Sequence, residues 1–195
     1  MAAVQNAGLA IGWAREAFGV DWDTAAAEGF GRPVREGDPL FVPHLTGERT
    51  PLLDSSARGA WIGLALEHGR ADMLRATYEG VAHGVRHARE ALDAEGGGGD
   101  GFLTMLGGGS LHPEYRQLLA DVLDEPLELL DVPHATTLGA ARLAGGASPD
   151  PLPAGRVEPD DRRRGLWEAR HVRWRSVVDA LTRERHAGSA ASARA

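Results

Sequence analysis

A run of three glycines is the feature of this sequence best suited to holding a phosphorylated ligand. Gly107, Gly108 and Gly109 follow an apolar segment and precede a stretch with helical character. Glycine lacks a Cβ atom, so the backbone of such a turn can come close to a ligand. The N–H groups that open the next helix carry partial positive charge, which suits a phosphate. The residues alone leave a nucleotide-binding turn and a plain strand-to-helix connection equally open.

A second glycine offers another close backbone approach further along the chain. Gly139 lies within Thr137-Leu138-Gly139-Ala140-Ala141, where the residues after the leucine are all small. Small residues let a helix pack close to a sheet, and glycine also lets a backbone approach a nucleotide. Close packing is the favoured explanation, and nucleotide contact is the alternative.

A polar loop over residues 44–58 contains a carboxylate, a cation and a hydroxyl in succession, at Glu48, Arg49 and Thr50. An arginine in a cleft can hold a phosphate or bridge two domains. A surface ion pair is the alternative. We predict that these three residues face a cleft.

Two further pairs have spacings that could support chemistry. Asp72 and Glu79 lie seven positions apart on one predicted helix and point roughly the same way, so they could bind Mg²⁺ or transfer a proton. We favour Asp72 as a helix-start residue and Glu79 as a structural or cleft-lining acid. His83 and His87 have the i, i+4 spacing of zinc ligands. Because no cysteine or third ligand accompanies them, we predict solvated or hydrogen-bonded side chains.

Strands alternate with helices along the chain, so the fold is α/β or α+β around one sheet. Residues 145–160 are rich in Gly, Pro and Asp and predict a linker, and residues 187–195 predict a disordered tail. Apolar periodicity and turn signals predict helices over 3–18, 23–28, 70–92, 112–123, 136–144 and 161–185, and strands over 40–42, 59–66, 102–106 and 127–130.

The bulk composition excludes several classes of protein. The chain has 195 residues, no cysteine and a formal net charge of −7, which argues against a general nucleic-acid binder. No apolar run is long enough to span a bilayer, and the first residues make a poor signal peptide. The absence of cysteine fits a reducing cytoplasm, which is the expected location.

Two segments at a fixed spacing resemble the second signature of the FGGY family of carbohydrate kinases. They are Gly59-Ala60-Trp61-Ile62-Gly63-Leu64 and, after seven residues, Asp72-Met73-Leu74-Arg75-Ala76-Thr77-Tyr78-Glu79. Neighbouring strings agree with the family in order and spacing: Gly47-Glu48-Arg49-Thr50-Pro51, Leu106-Gly107-Gly108-Gly109-Ser110 and Leu138-Gly139-Ala140-Ala141. The chain resembles the C-terminal, ATP-binding domain, and is most similar to xylulokinase and gluconokinase members.

The resemblance implies a fold and a domain layout. It implies the actin-like, ribonuclease-H-like ATPase domain, an α/β fold whose mixed sheet is flanked by helices. Residues 1–148 would be the nucleotide-binding domain. Residues 149–186 would be a linker and a C-terminal packing helix of the same domain, and residues 187–195 the tail.

The resemblance also implies site residues. In the family the glycine turn lies against the nucleotide, which assigns ATP contacts to Gly107, Gly108, Gly109 and Gly139. Ser110 and His112 follow where the purine is bordered, although His112 departs from the small or amide side chains common there. The loop carrying Glu48, Arg49 and Thr50 would face the interdomain cleft. ATP is the expected cofactor, with Mg²⁺ entering through the nucleotide and no metal site of the chain's own.

The implied activity is transfer of the ATP γ-phosphate to a sugar hydroxyl, with a xylulose-like ketopentose favoured and gluconate next. The family places the catalytic aspartate and most sugar contacts in an N-terminal lobe that this sequence lacks, so no residue here is assigned as catalytic. The chain alone is expected to bind ATP weakly and transfer nothing. Expected partners are that lobe, from the same gene or a separate chain, and a sugar; a homodimer remains open.

Three alternatives remain beside this interpretation. A non-catalytic nucleotide-binding or protein-interaction module derived from such a kinase predicts an exposed apolar surface where the first lobe sat. Another actin-like ATPase, such as a chaperone-type domain, would share the glycine turn but not the strings around it. A Rossmann-type protein is disfavoured because the glycines at 107–109 lack the GxGxxG spacing.

Overall fold

The computed structural model describes residues 2–97, 103–132, 134–146, 150 and 152–192, excluding the side chains of Ser110 and of residues 185–192. The chain divides into two compact units. Unit 1 comprises Met1–Gly98 and Gly165–Ala195, and unit 2 comprises Gly99–Arg164. Unit 1 is therefore built from two separate stretches of sequence.

Six α-helices and five strands make up the described residues. The helices are α1 (Ala7–Ala17), α2 (Trp22–Phe30), α3 (Arg70–Ala94), α4 (Pro113–Leu123), α5 (Ala135–Leu143) and α6 (Arg164–Ser192). The strands are β1 (Leu40–Val42), β2 (Ala60–Ile62), β3 (Leu103–Met105), β4 (Leu127–Asp131) and β5 (Leu152–Val157), and short 3₁₀ turns cover Gly108–Leu111 and Asp161–Arg163.

The core of unit 1 forms around α3, which contacts α1, α2 and β1. Its apolar stripe is buried at Leu74, Tyr78 and Val81, as the alternating spacing of three and four residues predicts. Strand β1 is buried along its whole length and pairs antiparallel with β2. Helix α6 adds Trp174, whose indole Nε1 donates to the Phe41 carbonyl at 2.8 Å. One hydrophobic cluster thus joins β1 and α6.

The closest approach in this core is between α3 and β1. A Cβ atom built on Gly80 would lie 2.1 Å from the carbonyl oxygen of Phe41, so the helix can come this near only with glycine there. One turn later, a Cβ on Gly84 would meet only the Cγ of Pro43, at an ordinary 3.7 Å.

Gly80 and Gly84 give predictions of opposite sign for the free energy of unfolding. We expect Gly80→Ala to lower the free energy of unfolding by about 1–3 kcal/mol, because the methyl group overpacks the helix–strand contact. We expect Gly84→Ala to raise it by up to about 1 kcal/mol, because alanine is the better helix former and the site has room. Urea denaturation measures both, and equal effects would contradict the assigned approach of α3 to β1.

A buried ionic network ties α3, α6 and the segment before β1 together. The Arg170 guanidinium donates to Glu79 Oε2 from Nε at 3.0 Å and from Nη2 at 2.6 Å. Its Nη groups also donate to four backbone carbonyls, at 2.9–3.2 Å, those of Arg35, Glu36, Asp38 and Pro39. Arg75 Nε donates to the other Glu79 oxygen at 2.6 Å. A single arginine therefore supplies hydrogen bonds to a carboxylate and to four carbonyls of the segment before β1.

Unit 2 is a three-stranded sheet in the order β3-β4-β5. Strands β3 and β4 run parallel, and β5 pairs antiparallel with β4. Helix α4 buries one face, with Leu118 and Val122 2% and 0% exposed. By contrast, none of the residues of α5 is buried. One face of α4 is therefore buried within unit 2, whereas α5 has no buried residue.

Three features differ from the sequence-based expectations. The described strands form two sheets rather than one. Strand β5 occupies part of the predicted linker, because an edge strand tolerates the proline and glycine that suggested a loop. Helix α6 continues through Ser192, where a disordered tail from residue 187 was expected; its alanine-rich end favours helix. Residues 193–195 of that tail lie outside the described residues.

Candidate functional site

The glycine turn follows β3 and leads into α4. Gly107 has φ +89° and ψ −171°, a conformation that is essentially restricted to glycine. A Cβ atom built on Gly107 or Gly108 would meet no other atom within 4 Å among the described residues. On Gly109 it would reach the Tyr115 ring at 3.4 Å. An added Cβ would therefore have room at the first two glycines, whereas the third glycine faces Tyr115.

A cavity of about 710 Å³ lies beside this turn, entirely within unit 2. Three segments line it: the glycine turn, the carboxyl end of β4 and the first turn of α5. The lining residues are Leu106, Gly107, Gly108, Leu111, Leu130, Asp131, Val132, His134, Ala135, Thr136 and Thr137. Because β3 and β4 are parallel, their carboxyl ends meet at one edge of the sheet, where ligands bind in open α/β folds.

The lining chemistry combines apolar and polar groups in the way a nucleotide site requires. Leu106 and Leu111 are 46% and 72% exposed, so they offer apolar surface on which a purine can lie. Thr136 and Thr137 bring hydroxyls to the start of α5, where helix N–H groups favour an anion. Asp131 brings the one carboxylate of the lining. This mixture of apolar surface, hydroxyl groups and a helix start is compatible with a nucleotide.

The structure brings some of the predicted ATP-binding residues to this cavity and not others. Gly107 and Gly108 line it, whereas Gly109 and His112 do not. His112 directly precedes α4, and the side chain of Ser110 lies outside the described residues. Gly139 lies in the middle of α5, and a Cβ there would meet nothing within 4 Å among the described residues. The structure therefore gives no support to close packing as the reason for this glycine.

The sequence did not predict the part of the cavity formed by the end of β4 and the start of α5. Asp131 ends β4, Val132 follows it and Thr136 lies in the first turn of α5, yet the sequence assigns none of them to a binding site. The available signal was the predicted strand over 127–130 next to the strand before the glycine turn. Recognising those two strands as parallel neighbours would have placed their ends together.

The loop predicted to face a cleft divides into an inward and an outward part. The Glu48 carboxylate is buried: its Oε1 accepts from the backbone N–H groups of Gln5 at 2.9 Å and Arg49 at 2.8 Å. Its Oε2 lies 3.2 Å from His44 Nδ1. Glu48 therefore does not face a cleft, because two amides and a histidine in unit 1 require an acceptor there. Thr50 Oγ1 accepts from the Ala3 amide at 3.0 Å, which fixes the same two segments.

Arg49 is the exposed member of the predicted trio Glu48, Arg49 and Thr50. It lines a second cavity, of about 360 Å³, with Thr50, Pro51, Leu53 and Glu95, all in unit 1. Within the described part of the chain, no hydrogen bond or ion pair engages the Arg49 guanidinium. It therefore remains the member of the predicted trio best placed to meet a ligand or another lobe.

The buried position of Glu48 gives a prediction about stability. Burial alone would raise the pKa of this carboxyl, but hydrogen bonds from His44, Gln5 and Arg49 outweigh it and hold the pKa below its ordinary value. We expect Glu48→Gln to lower the free energy of unfolding of unit 1 by about 1–3 kcal/mol, because the amide NH₂ would face a donor.

Urea denaturation at pH 7 measures this change, with Glu95→Gln at the exposed end of α3 as the matched control. An ionised Glu48 stabilises the fold above its unfolded pKa of about 4.3, and the contribution is lost as the pH falls below that value. A Glu48→Gln protein as stable as the parent would contradict the structural role.

The two further pairs on α3 have structural roles. Asp72 Oδ2 accepts from the Gly69 amide at 2.8 Å, the helix-start role predicted for it. Glu79 is held between Arg75 and Arg170 in the core, so it is a structural acid. His83 and His87 are both buried, and His83 is hydrogen-bonded to His171, which is the second of the two predicted alternatives. No group of three or more histidine, aspartate or glutamate side chains among the described residues could hold a metal ion.

None of the described helices is both long enough and apolar enough to cross a membrane.

The comparison with protein families finds one family that matches most of the chain. Residues 2–148 match the C-terminal domain of the FGGY family of carbohydrate kinases. The matched range contains α1 to α5, the glycine turn and the whole lining of the 710 Å³ cavity. It ends before β5 and α6.

Curated relatives and solved structures agree with that match. A glycerol kinase of Allorhizobium ampelinum is 34% identical over 91% of this chain and 35% of its own length. A xylulose kinase of Escherichia coli is 30% identical over 93% of this chain and 40% of its own length. The crystal structure of a xylulose kinase from Brucella ovis superposes with a TM-score of 0.75 at 28% identity, covering 90% of this chain and 38% of that one. The chain thus spans well under half the length of these relatives.

Proposed function

This chain belongs to the FGGY family of carbohydrate kinases, and on that premise we propose that it forms the nucleotide-binding lobe of an ATP-dependent sugar kinase. The observation that carries the proposal is that Gly107 and Gly108 line a 710 Å³ cavity at the carboxyl edge of β3 and β4. Backbone amides there meet the phosphates, and the surface at Leu106 and Leu111 receives the purine. Mg²⁺ enters with the nucleotide and neutralises phosphate charge.

In the proposed division of labour, this chain binds and orients while another lobe carries the base. Phosphoryl transfer needs a positioned nucleotide, a metal and a base on the acceptor hydroxyl. The cavity lining contains two titratable side chains, Asp131 and His134, and we assign the base to another lobe. The curated relatives are more than twice as long as this chain, which supports a first lobe as the missing component. Arg49 is the candidate for meeting that lobe or the phosphates between the two.

For the acceptor we propose a xylulose-like ketopentose, with gluconate next. The string Gly47-Glu48-Arg49-Thr50-Pro51 supports this choice, as does the presence of xylulose kinases among the relatives and solved structures. Glycerol kinases are also among the relatives, so glycerol is the competing acceptor that an assay must include.

Titration calorimetry with Mg·ATP, followed by a coupled kinase assay, tests this proposal. We expect weak binding, with a dissociation constant of about 1 mM, equivalent to about −4 kcal/mol. We expect no turnover of D-xylulose, gluconate or glycerol by the chain alone. In a complementation test, the separately produced first lobe of the E. coli xylulose kinase is added to the chain and turnover is measured again. Robust turnover by the lone chain would contradict the division of labour, and absence of binding at about 10 mM Mg·ATP would contradict the nucleotide lobe.

One observation favours a non-catalytic interaction module as the second candidate. Helix α5 has no buried residue, and Leu143 at its end is 92% exposed. Such an apolar surface is typical of a site for another protein. The same complementation distinguishes the two: an interaction module binds the first lobe, or ATP, without gaining turnover.

A further inference from the structure

Four histidine rings surround one buried tryptophan in unit 1. The ring centroids of His44, His83, His87 and His171 lie 6.3, 5.9, 5.9 and 6.0 Å from that of Trp174. Trp174 is 0% exposed, and all four histidines are buried. We call these five residues the histidine cluster. It joins the loop after β1, helix α3 and helix α6, so α6 rests on α3 through rings that can take up protons.

The direct link across the two helices is a hydrogen bond between two imidazoles. His83 Nδ1 on α3 and His171 Nδ1 on α6 lie 3.2 Å apart. One nitrogen must donate and the other must accept, so at least one of these rings is neutral at its Nδ1. If both rings became imidazolium, two N–H groups would face each other. The contact therefore holds only while the pair carries fewer than two charges.

Further ring nitrogens make protonation in place unfavourable. His83 Nε2 and His44 Nε2 are buried and lack a hydrogen-bond partner among the described residues. A proton added there would bury a charged N–H with no acceptor, which is among the most costly arrangements in a protein interior. Burial is the main cause that lowers the pKa of His83 well below its ordinary value. Burial likewise lowers the pKa of His87 to about 4.

Three carboxylates and three guanidinium groups face the cluster, so their effects on a further positive charge partly cancel. His171 Nε2 lies 3.1 Å from Glu90, the carboxylate that favours its charged form, and His44 pairs with Glu48. Burial, followed by Arg86, nevertheless lowers the pKa of His171. The groups that face the rings from α3, α6 and the loop after β1 are Glu48, Arg86, Glu90, Arg170, Arg175 and Asp179.

We propose that the histidine cluster is an acid-operated latch, which holds α6 on α3 while its rings are neutral and releases α6 when they take up protons. In the released state His83 and His171, the two rings that bond across the helices, return to an ordinary pKa of about 6.5, whereas in the docked state both pKa values are lower. The stabilisation is therefore complete above about pH 6.5 and is lost as the pH falls below it. With two protons taken up, the ratio of released to docked protein rises about 100-fold for each pH unit.

Fluorine NMR of the protein containing 5-fluorotryptophan gives a site-resolved test. Trp167 and Trp174 lie on α6, whereas Trp13, Trp22 and Trp61 lie on α1, α2 and β2. Between about pH 7.5 and 5 we expect the signals of the two α6 tryptophans to move to exposed positions together, with a dependence on pH that reports uptake of about two protons. The titration stops at about pH 5 so that Glu48 stays ionised throughout. Hydrogen bonds from His44 and two amides outweigh the burial of Glu48 and hold its pKa below its ordinary value.

Two variants and one control complete the experiment. His83→Gln and His171→Gln each remove one protonatable ring and keep a hydrogen-bonding group, so we expect the uptake to fall to about one proton. His68→Gln, at a partly exposed turn before α3, should leave the parent curve unchanged. Unchanged uptake in both cluster variants, or α6 tryptophans that stay buried at about pH 5, would overturn the latch.

If a variant does not fold, NMR of the histidine rings in the parent protein decides whether the latch operates. In the latch, His83 and His171 stay neutral until the Trp174 signal moves, and then titrate with it. Titration of either ring at its ordinary pKa in the docked protein would refute the proposal.

Discussion

Replacing Arg170 by methionine is expected to lower the free energy of unfolding of unit 1 by about 3–5 kcal/mol. The guanidinium is 0% exposed and its partner Glu79 is 1% exposed, so water cannot replace the lost contacts. Methionine fills much of the volume but donates no hydrogen bond. The change would leave one Glu79 oxygen and four carbonyls, those of Arg35, Glu36, Asp38 and Pro39, without these donors.

Urea denaturation followed by circular dichroism measures the loss. Arg173→Met is the matched control on the same helix, because Arg173 reaches only the carbonyls of Glu36 and Asp38, at 3.3 and 3.5 Å, from a more exposed position. We expect it to cost less than about 1 kcal/mol. Arg170→Lys should fall between the two, since one ammonium cannot serve a carboxylate and a row of carbonyls. Equal costs for Arg170→Met and Arg173→Met would contradict the central role of this arginine.

Gly108→Asp is expected to weaken nucleotide binding by about 10- to 100-fold. A Cβ at this position meets no atom within 4 Å among the described residues, so the side chain can be built without disturbing the turn. Its carboxylate would stand at the cavity where the phosphates are expected. Two like charges about 6 Å apart repel by about 2–3 kcal/mol at an effective dielectric constant near 20, and about 1.4 kcal/mol is tenfold in affinity.

Titration with a fluorescent ATP analogue, trinitrophenyl-ATP, measures this effect even where ATP itself binds weakly. Gly108→Ala is the control that adds the Cβ without the charge, and we expect it to change affinity by less than about threefold. Urea denaturation of both variants should match the parent, which separates binding from folding. If aspartate and alanine weakened binding equally, the phosphates would not lie at Gly108.

The sequence predicts best where a local pattern decides the structure. Helix α3 follows from an apolar stripe that begins at Leu74, and its start follows from Asp72. The glycine turn follows from residues that tolerate φ angles other types avoid, as Gly107 does at +89°. In each case a few neighbouring residues contain the whole signal.

Features formed by residues far apart in the sequence were harder to predict from the sequence. Glu48 was predicted to face a cleft because it shares a polar loop with Arg49 and because that loop resembles one that faces the interdomain cleft in the family. Its burial depends on the amide of Gln5, 43 positions earlier, which no local pattern reveals. Likewise, His83 and His87 showed a helical spacing, but only the packing of α6 places His171 and Trp174 against them. Strand β5 was hidden by its own proline and glycine.

The division of unit 1 into two stretches of sequence affects how the chain can fold during translation. Its core needs Trp174 and Val178 against Leu40 and Val42, and the Glu79 carboxylate needs Arg170. A ribosome that has released residues 1–98 has not yet synthesised either partner, because the whole of unit 2 comes first. Until α6 emerges, the nascent chain therefore exposes the side of β1 that packs on α6, and the Glu79 carboxylate lacks Arg170. That interval is the period in which chaperone contact and misfolding compete with completion of the first unit.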